Sequence, residues 1–170
     1  IMLDYIKGMD VSSLDEIEQL GAAFFDKGEK KDLLEILKSY GTNYIRIRLW
    51  NDPKTADGKP YGAGNTDYAV VLRLAKRTKA AGLKFLLDFH YSDFWADPGK
   101  QRKPKAWEGY TVDELEQAVY DFTKENMQNF IAEGVEPDMV QVGNELSNGL
   151  LWPEGQWPNF DNIARFVSAG

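Results

Sequence analysis

Cysteine is absent from this 170-residue chain. That excludes disulfides and thiolate metal centres, and it removes the residue from which a redox compartment is usually read. There is a single histidine, His90. A lone imidazole near Asp93 falls short of the three or four protein ligands that zinc takes, so no metal and no cofactor is expected. No apolar run is long enough to span a membrane. Positive charge is in short supply: 20 basic residues stand against 27 acidic ones, a net charge of −7. No basic stripe exists to neutralise phosphates, which argues against nucleic acid as a partner. No leader peptide is visible. The first residue is isoleucine rather than methionine, so position 1 is not expected to be the start of the gene product; a removed leader or a trimmed start would both explain it.

What is present is a regular alternation. Strand-like apolar runs at Tyr5–Val11, Tyr44–Trp50, Lys84–His90 and Met139–Glu145 are separated by helical stretches. The pattern predicts helices over Lys30–Tyr40, Thr66–Ala81 and Thr111–Glu133, and a last one from about Asp161. Gly41, Gly82 and Gly134 stand where helix C-caps belong, and Thr111 with Glu114 forms a capping box. Strand and helix alternating at this spacing means βα units and a parallel sheet. The strand-to-helix loops are long and the returning loops short, as in (β/α) barrels. A complete barrel takes about 250 residues, so the chain reads as α/β, the first four βα units of a (β/α)8 barrel that stops before its second half. No linker-like stretch interrupts residues 1–170, which read as part of one domain. A doubly wound sheet fits the alternation too, although no strand runs into a G-x-G-x-x-G turn.

The segment M-V-Q-V-G-N-E, Met139–Glu145, reads as a buried strand ending in Asn144 and Glu145. Barrel enzymes carry catalytic acids at such C-terminal tips. A solvated carboxylate at a strand end is an equally good reading of Glu145 taken alone. The neighbouring strands add weight to the first. Strand side chains alternate between faces. In Tyr44–Trp50, residues Ile45, Ile47 and Leu49 share one face, and Tyr44, Arg46, Arg48 and Trp50 the other. Phe85, Leu87 and Phe89 oppose Asp88 and His90; Val140 and Val142 oppose Gln141 and Glu145; Gly8 shares a face with Asp10. Fully buried parallel strands are normally apolar throughout. Four strands that break this rule together suggest an active-site mouth holding Asp10, Arg48, Trp50, Asp88, His90 and Glu145. Trp95, Trp107, Trp152 and Trp157 lie in the long loops among polar residues, Gly and Pro. Core packing is the usual fate of tryptophan, but this setting favours sugar stacking by Trp95, with Trp152 as a second platform.

The motifs G-M-D-V-S-S-L, N-Y-I-R-I-R-L-W-N-D-P, L-L-D-F-H-Y-S-D-F-W-A-D-P-G-K-Q, P-K-A-W and V-Q-V-G-N-E-L-S-N-G-L-L-W-P-E-G resemble the arabinogalactan endo-β-1,4-galactanases, glycoside hydrolase family 53. The resemblance runs almost from Met9 to the C-terminus; Met9 itself stands where a smaller residue is expected. It implies a secreted, endo-acting, retaining enzyme whose partner is β-1,4-galactan. By the same resemblance Glu145 is the general acid/base, and Asn144 binds the sugar hydroxyl beside the reacting carbon. Arg48 supports the nucleophile, a glutamate of the seventh strand that is not in this sequence. His90 is expected to hydrogen-bond the sugar or Glu145, and Asp88, Asp10, Trp95 and Trp50 to complete the sugar-binding set. Asp10 and Asp88 are better suited to pairing with Arg46, Arg48 or a sugar than to acting as nucleophile. The other function class is a non-catalytic half-barrel that self-associates through unpaired sheet edges and binds sugar weakly at most.

Overall fold

The computed structural model describes residues 5–170. Four strands form one parallel sheet: β1 (Gly8–Asp10), β4 (Tyr44–Leu49), β5 (Lys84–Phe89) and β6 (Met139–Val142), in that spatial order. Arg48 of β4 stands beside Asp88 of β5, which in turn stands beside Gln141 of β6. Between them run α3 (Tyr68–Ala80) and α4 (Val112–Ala132), and α5 (Phe160–Ala169) follows β6. Sequential strands side by side, each pair joined through a helix, are the arrangement of a (β/α) barrel wall.

The outward faces of β4 and β5 carry Ile45, Ile47, Leu49, Phe85, Leu87 and Phe89, all essentially inaccessible. They pack in one apolar cluster with Val71, Leu74 and Ala75 of α3 and Leu115, Val119 and Phe130 of α4. Burying such side chains contributes roughly 1.5–3 kcal/mol each. Helix starts are chemically marked. Asp67 accepts the Val70 N–H at the head of α3, and Thr111 and Glu114 close the expected capping box on α4. Gly134, at φ +75°, ends α4 by taking a left-handed conformation that a side chain would strain.

Between β1 and β4 the chain is busier than its periodicity predicts. A short helix α1 (Leu14–Gln19) comes first, then a hairpin of β2 (Phe24–Asp26) and β3 (Glu29–Lys31), then α2 (Leu33–Ser39). The predicted helix over Lys30–Tyr40 is therefore shorter. Lys30 and Lys31 belong to the hairpin, and Asp32 caps α2 by accepting the Leu34 N–H. Lys27 and Gly28, both with positive φ, make the two-residue turn that such hairpins need. Lys-Gly is a weaker signal for it than Asn-Gly. The first strand is confined to Gly8–Asp10, not Tyr5–Val11. The fourth ends at Val142, three residues before Glu145. The cause is Gly143, at φ +81°, which turns the backbone out of the ladder. A side chain there would be strained by the torsion, and its Cβ would meet the Leu146 methyls at 2.8 Å.

Candidate active site

Asn144 and Glu145 sit beyond the end of β6, in a turn that leads into a single 3-10 turn, Leu146–Asn148. Glu145 adopts φ +51° and ψ +53°, the left-handed region that residues with a Cβ occupy at a cost. Backbone bonds hold it there. The amide of Gln101, itself buried, donates to the Asn144 carbonyl at 2.7 Å and to the Glu145 carbonyl at 3.3 Å. The Glu145 side chain is exposed. Its carboxylate makes no hydrogen bond or ion pair with another described residue.

Asn144, 8% exposed, is fixed on both sides. Its Nδ2 donates to the Ala96 carbonyl at 2.8 Å, and its Oδ1 accepts from Arg46 at 2.8 Å and from Gln141 at 3.0 Å. Arg46 is the hub of the interior face. It donates to Asp10 at 2.6 Å and to Asp88 at 2.5 Å as well as to Asn144, and so ties β1, β4, β5 and the turn after β6 together. These are charge-assisted bonds, the stronger class. Asp88 is completely buried, so its charge depends on Arg46 for compensation. Asp10 accepts also from the Ser12 N–H at 2.9 Å and the Ser12 hydroxyl at 2.6 Å. Neither carboxylate is idle.

Arg48 faces the same interior, while Ile47 is buried against the helices. Its guanidinium lies 4.2 Å from the Trp95 ring centroid and 4.9 Å from that of Trp50. It donates to the Ser13 hydroxyl and to the Ala63 carbonyl, and lies 3.6 Å from Asp10. Burial pushes the Arg48 guanidinium below its ordinary range, with Arg46 adding to the effect and Asp10 opposing it.

Two sequence expectations need correction. His90 is 1% exposed and touches neither solvent nor Glu145. Its Nδ1 accepts the Trp50 indole N–H at 3.0 Å and the Ala96 N–H at 3.2 Å. Nδ1 is thus the acceptor of two N–H groups, while Nε2 lies 3.0 Å from an Asp88 oxygen without making a hydrogen bond. Trp50 is fully buried beneath Phe94 and Trp95, because the β5 loop folds over it. Both residues brace the site from below instead of facing its opening. Trp95 keeps about a third of its surface exposed, 36%. Trp152 is half-buried, its indole N–H donating to the Asn148 carbonyl at 2.8 Å, and Trp107 belongs to the apolar core.

Alternation places Asp10, Arg48 and Asp88 on one face, and Arg46, on that same face but outside the expected site set, is what links the two carboxylates to each other and to Asn144. Gln101 carried no signal at all, since its role depends on a contact 43 residues away in sequence. Among the described residues no cluster of His, Asp and Glu is arranged to hold a metal ion, and no helix is long and apolar enough to cross a membrane.

A parallel sheet with long loops at its carboxyl end, a polar interior there and an unpaired glutamate on the rim is the arrangement of the (β/α)-barrel enzymes. The chain belongs to one family of that class: the family model "Glycosyl hydrolase family 53" matches residues 6–170. It is 46% identical to a Bacillus subtilis endo-beta-1,4-galactanase over 86% of this chain and 34% of that protein. It is 39% identical to an Aspergillus niger arabinogalactan endo-beta-1,4-galactanase A, over 96% of this chain and 45% of that one. The Ignisphaera aggregans GH53 catalytic domain superposes with a TM-score of 0.95 at 45% identity, over 99% of this chain and 47% of that chain. A fungal beta-1,4-galactanase structure gives a TM-score of 0.88 at 38% identity, over 96% and 47%. The chain thus spans between a third and a half of the length of the relatives it matches, and its four parallel strands correspond to an N-terminal part of their barrel.

Proposed function

We propose that this chain carries the acid/base portion of an endo-acting, retaining β-1,4-galactanase. Glu145 protonates the departing glycosidic oxygen and then takes a proton from the incoming water. The observation that carries this reading is the contrast at the turn after β6: the backbone of Asn144 and Glu145 is clamped by Gln101, and the Asn144 side chain by Arg46, Gln141 and Ala96, while the Glu145 carboxylate is left unpaired. A group that is to exchange protons with a substrate needs free lone pairs at a fixed position. Asn144 Nδ2 has one N–H committed to Ala96, and its second is available to the hydroxyl beside the reacting carbon. Trp95, with Arg48 on one ring face, offers the other to a sugar.

A retaining mechanism needs a second carboxylate about 5–5.5 Å from the first. Asp10 and Asp88 are poor candidates, because Arg46 pairs with both and Ser12 with Asp10. The nucleophile is therefore assigned to a glutamate outside these 170 residues, and Arg48 to its support. The relatives' names support a β-1,4-galactan as the substrate, and a polysaccharide substrate supports action outside the cell. Taken alone, the 170-residue chain is expected to self-associate, because β1 and β6 each present one edge with no partner strand among the described residues.

The test is Glu145→Gln in the complete enzyme. Turnover of galactan should fall by roughly 10²–10⁴-fold. The fall on aryl galactosides with good leaving groups should be much smaller, since those need little protonation. An equal fall on both substrates would count against the acid role.

A further inference from the structure

A cleft of about 440 Å³ opens among the loops at the carboxyl end of the sheet. It is assembled from three loops: Tyr61 from the loop after β4, Phe94 and Arg102 from the loop after β5, and Trp152 from the segment after Glu145. Its volume falls within the range of small-ligand sites. It is joined to the candidate active site by one residue. The Trp152 N–H donates to the Gln101 carbonyl at 2.8 Å, and the Gln101 side chain holds the carbonyls of Asn144 and Glu145.

Its charges decide what it can take. Lys103 and Lys105 line it, but each is already paired: Lys103 with Glu154 at 2.8 Å, and Lys105 with Asp93 at 2.9 Å and Asp52 at 3.5 Å. The lysines therefore offer an anion little net attraction. Asp93 is spent as well, accepting from the Asp52 N–H and from both nitrogens of Lys105. What is left is one charge of each sign. Arg102 and Glu108 both line the cleft and are exposed, and neither side chain has an ion-pair or hydrogen-bond partner among the described residues. A forked donor and a two-oxygen acceptor suit vicinal hydroxyls. The remaining wall is aromatic: Tyr61 and Phe94 have ring centroids 5.4 Å apart, and the Trp152 indole N–H is committed to the Asn148 carbonyl, leaving its ring surface. Polar groups of both signs beside aromatic surface match a ring with hydroxyls at its edge and C–H bonds on its face.

We infer that this cleft is a second carbohydrate site that takes a neutral pyranose unit of the same β-linked glycan chain that passes Glu145. Arg102 and Glu108 bind its hydroxyls, and Tyr61, Phe94 and Trp152 meet its apolar face. The inference rests on the reading of the chain as acting on a neutral β-glycan, and goes beyond it by placing a contact outside the turn at Glu145. It gives the enzyme a hold on polymer that short substrates do not use.

Affinity electrophoresis tests it. The complete enzyme, Arg102→Ala and Glu108→Gln are run through gels containing linear galactan, β-mannan or no polysaccharide. Thermal melting checks that each variant is folded; both positions are on the surface. The expected result is retardation of the unaltered enzyme in galactan, with affinity about tenfold weaker in each variant, the equivalent of one lost charged hydrogen bond. Equal retardation of all three proteins would overturn the proposal, and so would an absence of retardation in every gel. Retardation that depends on Arg102 in mannan but not in galactan would support the cleft as a neutral-sugar site while overturning galactan as the substrate.

Discussion

On β4, Ile45, Ile47 and Leu49 point into a dry layer beneath the helices, while Arg46 and Arg48 point the other way into a set of carboxylates and aromatic rings. The same strand serves two different solvents. On the outer face stability comes from area and close packing, terms that are non-directional and tolerate exchange of one apolar residue for another of similar volume. On the inner face each group depends on a named partner, and removing one leaves another buried without compensation. The helix exterior offers a further contrast. There Arg77 pairs with Glu18 at 2.6 Å and Asp32 at 2.7 Å, distances as short as those around Arg46. All three of these side chains are about a third exposed, and so are Arg46 and Asp10. Length of contact is the same; what differs is Asp88, which is fully buried and out of reach of water that could substitute for a lost partner.

The sharpest way to break this comparison is Arg46→Ala. It strands the buried Asp88 carboxylate and frees Asn144, so unfolding free energy should drop by about 3–5 kcal/mol. Denaturant unfolding of the complete enzyme measures this, and a drop below about 1 kcal/mol would mean that water enters to replace the guanidinium. Leu87→Ala on the outer face should cost about 3 kcal/mol through lost burial and the cavity left behind. Its cost should be partly recovered by Leu87→Met, a recovery that no residue other than arginine should give at position 46.

Tyr91 sharpens the comparison through pH. It is 1% exposed, and burial pushes its hydroxyl up from 10.0 to about 12. The Thr123 hydroxyl is committed as donor to the Val119 carbonyl, so Tyr91 donates to it, at 2.7 Å. The folded state holds the proton more tightly than the unfolded one. The resulting stability is full below pH 10 and is lost as pH rises from 10.0 to about 12, a loss of roughly 2–3 kcal/mol. In Tyr91→Phe that alkaline slope should flatten; an unchanged slope would assign the titration to another group. The smallest effect belongs to Arg77→Ala. Despite two short ion pairs it should cost at most about 1 kcal/mol, and less in high salt. A loss as large as that for Arg46→Ala would erase the distinction between the two regions.

These two regions also differ in how far they can be read from sequence. The outer layer is visible as every second residue of β4 and β5 and as the helical spacing of α3 and α4, because apolar burial leaves a periodic trace. The inner face is visible only as a departure from that trace: alternation puts Arg46, Arg48 and Asp88 on one side without saying which bonds to which. His90 shows the limit. Its position just past the end of β5 is legible, but its burial depends on Trp95 and Ala96 folding back over it, a loop conformation with no period. The hairpin at Phe24–Lys31 and the role of Gln101 were hidden for the same reason: one turns on two positive φ angles, the other on a contact between distant loops. The resemblance of long motifs singles out Glu145 and Asn144 as candidates, while periodicity places them in the strand that Gly143 ends before them.

The left-handed torsion at Glu145 has a practical corollary. The carboxylate is aimed by main-chain angles and by Gln101, not by bonds to its own oxygens. A glycine at position 145 would find the turn more comfortable than glutamate does, so Glu145→Gly should keep the scaffold while removing the exposed carboxylate. On the acid/base role proposed for Glu145, added formate or azide is then expected to restore turnover that the glycine variant loses.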